Sequence, residues 1–176
     1  ANLGKSVCLF QNKKFKQAWE LYDSRIKTDY FLDSKLPLTL INSKLLDTIS
    51  VSKDSKILIM REQGLGDEIL YSSMYNEFYQ KFKNIKIECD ERLLPLFISS
   101  FPLISNDVFV KKGIISGNQN LLLEYDYVVY NGSLCKFFRN SSKDFKKEYH
   151  LSISKDDYNN FVSNIPPNNK LNIGIS

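Results

Sequence analysis

The 176-residue sequence is poor in the residues that most often carry metal and nucleophilic chemistry. It has one histidine, His150, and three cysteines, Cys8, Cys89 and Cys135. These are too far apart for a Cys-x-x-Cys or Cys/His zinc spacing, so neither a metal centre nor a disulfide framework is expected. Scattered, reduced, mostly buried thiols fit a cytoplasmic protein. Arginine is scarce as well, with four against twenty lysines. Bidentate reading of bases and phosphates favours arginine, so the net charge of +4 is not that of a nucleic-acid binder. It leaves a mild preference for acidic or phosphorylated partners. No apolar run is long enough for a membrane span, and the first residues do not read as a signal peptide. The seven glycines include neither a phosphate-binding Walker loop nor a full GxGxxG, because no glycine stands three beyond Gly66. No cofactor is expected.

What is present is a globular composition, 43% apolar and 25% charged, enough for one domain with its own core. The chain is organised around residues 56–82. Ile57 to Met60 are four apolar residues in a row, which fits a strand covered on both faces. A turn follows, Glu62-Gln63-Gly64-Leu65-Gly66-Asp67. Ile69, Leu70, Met74, Tyr75, Phe78 and Phe82 then recur at helical spacing. Strand, glycine turn and helix make the opening unit of a Rossmann-like sheet, whose ligand crevice lies at the carboxyl ends of its strands. Gly64 and Gly66 are expected to let the backbone turn tightly and pass close to a ligand.

Two short helices, 2–12 and 14–27, precede this unit with a turn at Asn12-Lys13. Their aromatic side, Trp19 and Tyr22 above all, has the texture of one tetratricopeptide unit, which cannot bury its own face; the alternative is an ordinary helical hairpin capping the domain. Residues 29–55 read as a connector in which Ser43 caps a short helix through Leu45 and Ile49. Further strands are expected at 85–89, 108–110 and 125–130, with a helix at 93–101 that tolerates Pro95 only in its first turn. Asn131-Gly132-Ser133 follows the last of these strands and faces the glycine turn if the sheet is parallel; Asn-Gly is also a common turn dipeptide. The basic segment from Lys136 to Lys147 reads as a solvated helix face or loop ahead of a phosphate patch, and His150 as a packing or surface residue. A helix at 156–165 leads to another strand at 171–175. The chain starts inside a helix and stops after a strand, as if cut at both ends.

Arg61-Glu62-Gln63-Gly64-Leu65-Gly66-Asp67-Glu68 resembles the EQGLGD signature of bacterial tetratricopeptide-repeat proteins with a glycosyltransferase-like domain. These are similar to heptosyltransferases and, more distantly, to O-linked N-acetylglucosamine transferases. Phe15 to Arg25 resembles the segment that closes their repeat array, Glu88 and Leu93 to Phe97 a stretch after their second strand, and Leu171 to Ser176 the start of their second domain. The resemblance implies an α/β fold: a mostly parallel Rossmann-like sheet, the first half of a GT-B fold, behind a TPR-like hairpin. It implies a hairpin at 1–28, a connector at 29–55, an acceptor-side domain at 56–154, and a linker helix with the first strand of a second domain at 155–176. A sugar acceptor (glycan, peptide or small molecule) would bind here, and the nucleotide sugar only through the second domain.

By the same resemblance Asp67 is the candidate base that activates the acceptor hydroxyl. Aspartate is a weak base in water, and an aspartate at a helix start can instead accept amide N–H groups. Gln63, Gly64, Leu65, Gly66, Asn131, Gly132 and Ser133 are the candidate substrate-binding residues. A peptide- or glycan-binding module without chemistry is the alternative, since fold alone does not separate the two. A nucleotide-dependent oxidoreductase is disfavoured: Asp90 ends the second strand, but the glycine pattern before it is wrong.

Overall fold

The computed structural model describes residues 1–27, 38–62, 64–146 and 150–165. Gln63 and the strand expected at 171–175 lie outside the described residues. Apolar runs bounded by turn residues form four strands, β1 (Ile57–Met60), β2 (Ile85–Cys89), β3 (Phe109–Lys111) and β4 (Tyr127–Tyr130). They lie in the order β3-β2-β1-β4, all parallel, with Ile57 opposite Ile85 on one side and Tyr127 on the other. This is an α/β, Rossmann-like sheet. The order reverses between β1 and β4, which makes that gap the topological switch point.

Alternation along the strands divides the core. Ile57, Ile59, Ile85, Ile87 and Val129 face α4 (Leu65–Ser72), α5 (Tyr75–Lys81), α6 (Leu94–Ser100) and α8 (Cys135–Phe138). Tyr75, Phe97, Phe101 and Phe109 form an aromatic cluster there, with ring centroids 5.6–6.4 Å apart. Leu58, Met60, Val128 and Tyr130 face the other way, onto α3 (Leu38–Ser43) and α7 (Gln119–Leu123). The helices of the first two crossovers cover one face, and the crossover back to β4 covers the other. Right-handed connections require this when the strand order reverses.

Several boundaries differ from expectation for local reasons. The segment after the glycine turn is two helices, broken at Ser73-Met74, and Leu70 points to solvent, 61% exposed. Ser43 ends α3 instead of capping a later helix; its hydroxyl donates back to Leu40 O at 2.7 Å. The chain then runs along β4, with Leu46 N–H donating to Val128 O and Val128 N–H to Lys44 O, both at 2.8 Å. The connector thus shields an otherwise open sheet edge. Pro95 does sit in the first turn of α6. A glycine-only backbone occurs at Gly113 (φ 77°), whereas neither Gly64 nor Gly66 has a positive φ. The tight-turn role expected of that pair is therefore not borne out.

In front of the sheet, α1 (Asn2–Gln11) and α2 (Phe15–Tyr22) form a helical pair that continues into a 3₁₀ turn, Asp23–Lys27. It docks by its aromatic side. The Trp19 indole donates to Arg139 O at 2.6 Å, and the Tyr22 and Tyr71 hydroxyls lie 3.0 Å apart. Phe10 packs edge-on against Trp19, 4.3 Å between centroids, so the aromatic surface is hidden against the α/β body. The last described helix, α9 (Lys155–Ser163), buries none of its residues. Among the described residues no helix is long and apolar enough to cross a membrane.

Candidate functional site

The loops after β1 and β4 flank the switch point, where a parallel sheet opens its ligand crevice. Here the floor of that crevice is built from the chain's own charges. Glu62, directly after β1, is buried and accepts the Gly132 N–H from the turn after β4 at 2.7 Å. Its other partner comes from the helical pair: Arg25 Nε donates to Glu62 Oε2 at 2.9 Å, and Nη2 contacts Oε1. Nη2 also donates to Ser133 Oγ at 3.0 Å, and Ser133 in turn donates to Asp23 at 2.6 Å. Lys136 closes the chain on Asp23 at 2.9 Å, and the guanidinium lies 4.2 Å from the centre of the Tyr22 ring. Burial by itself disfavours the Arg25 charge, but hydrogen bonding to Glu62 and the nearby carboxylates outweigh it and hold the guanidinium more firmly protonated than usual. Burial likewise pushes the Asp23 carboxyl up; the Ser133 hydrogen bond and the Lys136 charge reverse the sign and bring it below its ordinary value.

A second charged group closes the rim between β1 and β2. Glu68, fully buried on α4, accepts the Asp90 N–H at 2.8 Å and pairs with Arg61 at 2.7 Å. Burial raises its pKa despite those partners. Asp90, at the end of β2, receives Arg92 Nε at 2.8 Å and has Lys112 at 3.5 Å; the Arg92 hydrogen bonds hold its carboxyl well below the usual range. Beneath lies Asn131. It is wholly buried, and among the described residues neither atom of its amide has a hydrogen-bond partner of good geometry. The Tyr75 hydroxyl beside it is equally unpaired; the amide is near enough to favour its ionised form, but burial dominates and raises the phenol.

Of the candidate residues, Gly64 caps α4 with an extended backbone, φ −120° and ψ 160°, and supplies no side-chain cap. Leu65, Gly66 and Asp67 are the first three residues of that helix. Gly66 is exposed, and a Cβ added there meets no atom within 4 Å. Asp67 is half-buried, its carboxylate 3.6 Å from the position of a Cβ on Gly64. Among the described residues it accepts no hydrogen bond and forms no ion pair, so the amide-capping alternative is not the arrangement adopted; what favours charge there is the helix's positive end. Gly132 and Ser133 reach the same rim, but their polar groups are taken up internally. Among the described residues the part of the candidate set open to a ligand is thus Gly66 and Asp67, flanked by Gly64 and Leu65.

Sequence reasoning gave no site role to Arg25, Arg61, Glu62 or Glu68, and weighed Asp90 only for the disfavoured oxidoreductase. The signal was there in two forms. Glu62 and Glu68 are charges within a buried apolar segment, and all four of the scarce arginines contact a carboxylate. Arg139, placed by sequence on a solvated face, is buried and lies 2.7 Å from Glu77, because the chain folds back over α5. His150, expected to be a packing or surface residue, is half-buried against α4: Nε2 lies 3.0 Å from Ile69 O and 3.2 Å from Ser72 Oγ.

Among the described residues no group of three or more potential ligands could hold a metal ion. An open depression of about 550 Å³ lies elsewhere, lined by Lys44, Ser52, Asp54, Ser55, Asp126 and Tyr127. It sits at the amino ends of β1 and β4, the edge of a parallel sheet that ligands do not use. No family model, curated protein or solved structure matches this chain.

Proposed function

We propose that this chain is the acceptor-side half of a two-domain glycosyltransferase-like protein, with a TPR-like hairpin in front of it. A sugar acceptor would meet the start of α4, and the nucleotide sugar would come from a second domain. One observation carries the reading: at the carboxyl end of the central strand, Asp67 has no partner among the described residues, while the space over neighbouring Gly66 is open. A carboxylate in that setting can accept the proton of an acceptor hydroxyl, and a missing side chain lets the acceptor approach the backbone. Glu62, Gly132 and Ser133 then shape the loops without touching the acceptor.

The test is Asp67→Asn in the full-length protein, assayed for sugar transfer at saturating donor and acceptor. Asparagine keeps the size but removes the proton acceptor, so transfer should fall by roughly 10²–10⁴-fold, the usual contribution of a general base. The thermal midpoint should barely move, because Asp67 supports no other described group. A rate within twofold of the parent removes Asp67 from catalysis. It would leave the second reading, a peptide- or glycan-binding module using the same open surface.

A further inference from the structure

One corner of the protein gathers several exposed lysines. The ring of Phe145 lies 5.0 Å from that of Phe15, which brings the turn between α1 and α2 together with the segment that follows α8. Five exposed lysines flank the two rings in sequence: Lys13, Lys14 and Lys16 beside Phe15, Lys143 and Lys146 beside Phe145. Among the described residues Lys146 alone of the five has an ion-pair partner, Glu77 at 3.5 Å. The opposing charges are few. Asp144 is turned inward onto the Asn140 and Ser141 amides, Glu20 lies one turn from Lys16, and Glu77 is already matched by Arg139. Among the described residues of the corner, five lysines and Arg139 thus face three carboxylates, Glu20, Glu77 and Asp144. At its centre Phe145 leaves 44% of its surface in water.

We propose that this corner docks onto an anionic phospholipid surface. Lysine has a compact, strongly hydrated charge on a long apolar stem, which suits a diffuse sheet of headgroups and not the bidentate reading of a defined phosphate. The arginine nearest the patch, Arg139, is buried and paired, which disfavours nucleic acid. Protein interfaces deplete lysine from their centres, which disfavours a protein partner. An exposed aromatic ring within a lysine cluster is what enters the headgroup layer while the cations stay at its surface. The inference does not depend on the proposed transfer chemistry. It concerns a different face, and no residue of the carboxyl rim takes part.

Flotation of the whole protein with lipid vesicles tests it. Vesicles of phosphatidylcholine with about one-third phosphatidylserine should capture the protein at low salt, and pure phosphatidylcholine should not. Each lysine near the surface contributes roughly a fivefold factor, so Lys14→Glu with Lys143→Glu should weaken partitioning by at least about 25-fold. The matched pair Lys53→Glu with Lys155→Glu removes the same charge elsewhere and should change it far less. Phe145→Ala should weaken binding several-fold without altering its salt dependence, since it removes apolar contact and no charge. Circular dichroism of each variant separates lost docking from lost folding, because these side chains are exposed. The proposal is overturned by absence of capture on the anionic vesicles, by equal capture on neutral ones, or by equal losses in the two charge pairs. Tighter binding to an RNA of equal charge density, with the same variants sensitive, would also overturn it in favour of a nucleic-acid surface.

Discussion

At the scale of single residues, two glycines of the candidate site have opposite reasons for being glycine. A methyl on Gly132 would come within 2.6 Å of Glu62 Oε1 and 3.0 Å of both Arg25 and Tyr71, groups held by the buried ion pair. Gly132→Ala should therefore cost about 1–3 kcal/mol in urea unfolding, the usual penalty for overpacking. A methyl on Gly66 meets open space in the first turn of a helix, with no unusual backbone angle. Gly66→Ala should leave stability unchanged or raise it by up to about 1 kcal/mol, since alanine is the better helix former. If the acceptor approaches there, the same change should weaken acceptor binding measured by calorimetry. A Gly66→Ala protein that is destabilised, or that binds acceptor as before, would remove the space over Gly66 from the site. Sequence alone did not separate the two: a glycine's neighbours are set by what folds against it, and Arg25 lies 107 positions from Gly132 along the chain.

At the scale of elements, the helical pair is a fixed part of the rim, held by hydrogen bonds from Trp19 and Arg25. Trp19→Phe keeps most of the packing and loses one buried bond, so it should cost about 1 kcal/mol. Arg25→Met should cost more, about 3–5 kcal/mol, because it leaves the Glu62 carboxylate buried without a cation. Adding Glu62→Gln should recover much of that loss: the uncompensated charge is gone, while the Gln carbonyl can still accept the Gly132 N–H. A double-mutant cycle in urea reads this directly, and strictly additive losses would mean that the two residues act separately. The aromatic docking face of α2 was legible from the spacing of Phe15, Trp19 and Tyr22. The arginine at the end of that segment was not assigned to the glutamate before the glycine turn, because helical spacing says which side is apolar but not which distant strand end it meets.

At the scale of the whole molecule, stability should depend on pH through the rim carboxylates. Asp90 and Asp23 are held below their ordinary values by Arg92, Ser133 and Lys136, so the folded state releases their protons more readily than the unfolded chain. Their stabilisation is fully present above about pH 4 and is lost as pH falls through the folded values. Glu68, raised by burial, works in the opposite sense and costs stability as pH rises through its folded value. Asp90→Asn should therefore lower the thermal midpoint near neutral pH, with the gap to the parent closing in acid. A gap of constant size would show that Asp90 acts through packing and not through its charge. What the sequence by itself determined is the alternation of apolar runs and turns. The apolar run at 57–60, the alternation at 85–89 and the run at 125–130 read as strands, the last beginning at Tyr127 in the structure, and helix-length connections between them favour parallel order, which carries the loops after β1 and β4 to the same rim. The tertiary structure alone decided what that rim does with its polar groups. Glu62, Gly132, Ser133 and Arg25 satisfy one another and close the switch-point floor, leaving Asp67 beside the open space over Gly66. The physical reason is that hydrophobic period is a local property of the chain, whereas the partner of a buried charge is whichever group the finished packing brings within about 3 Å of it.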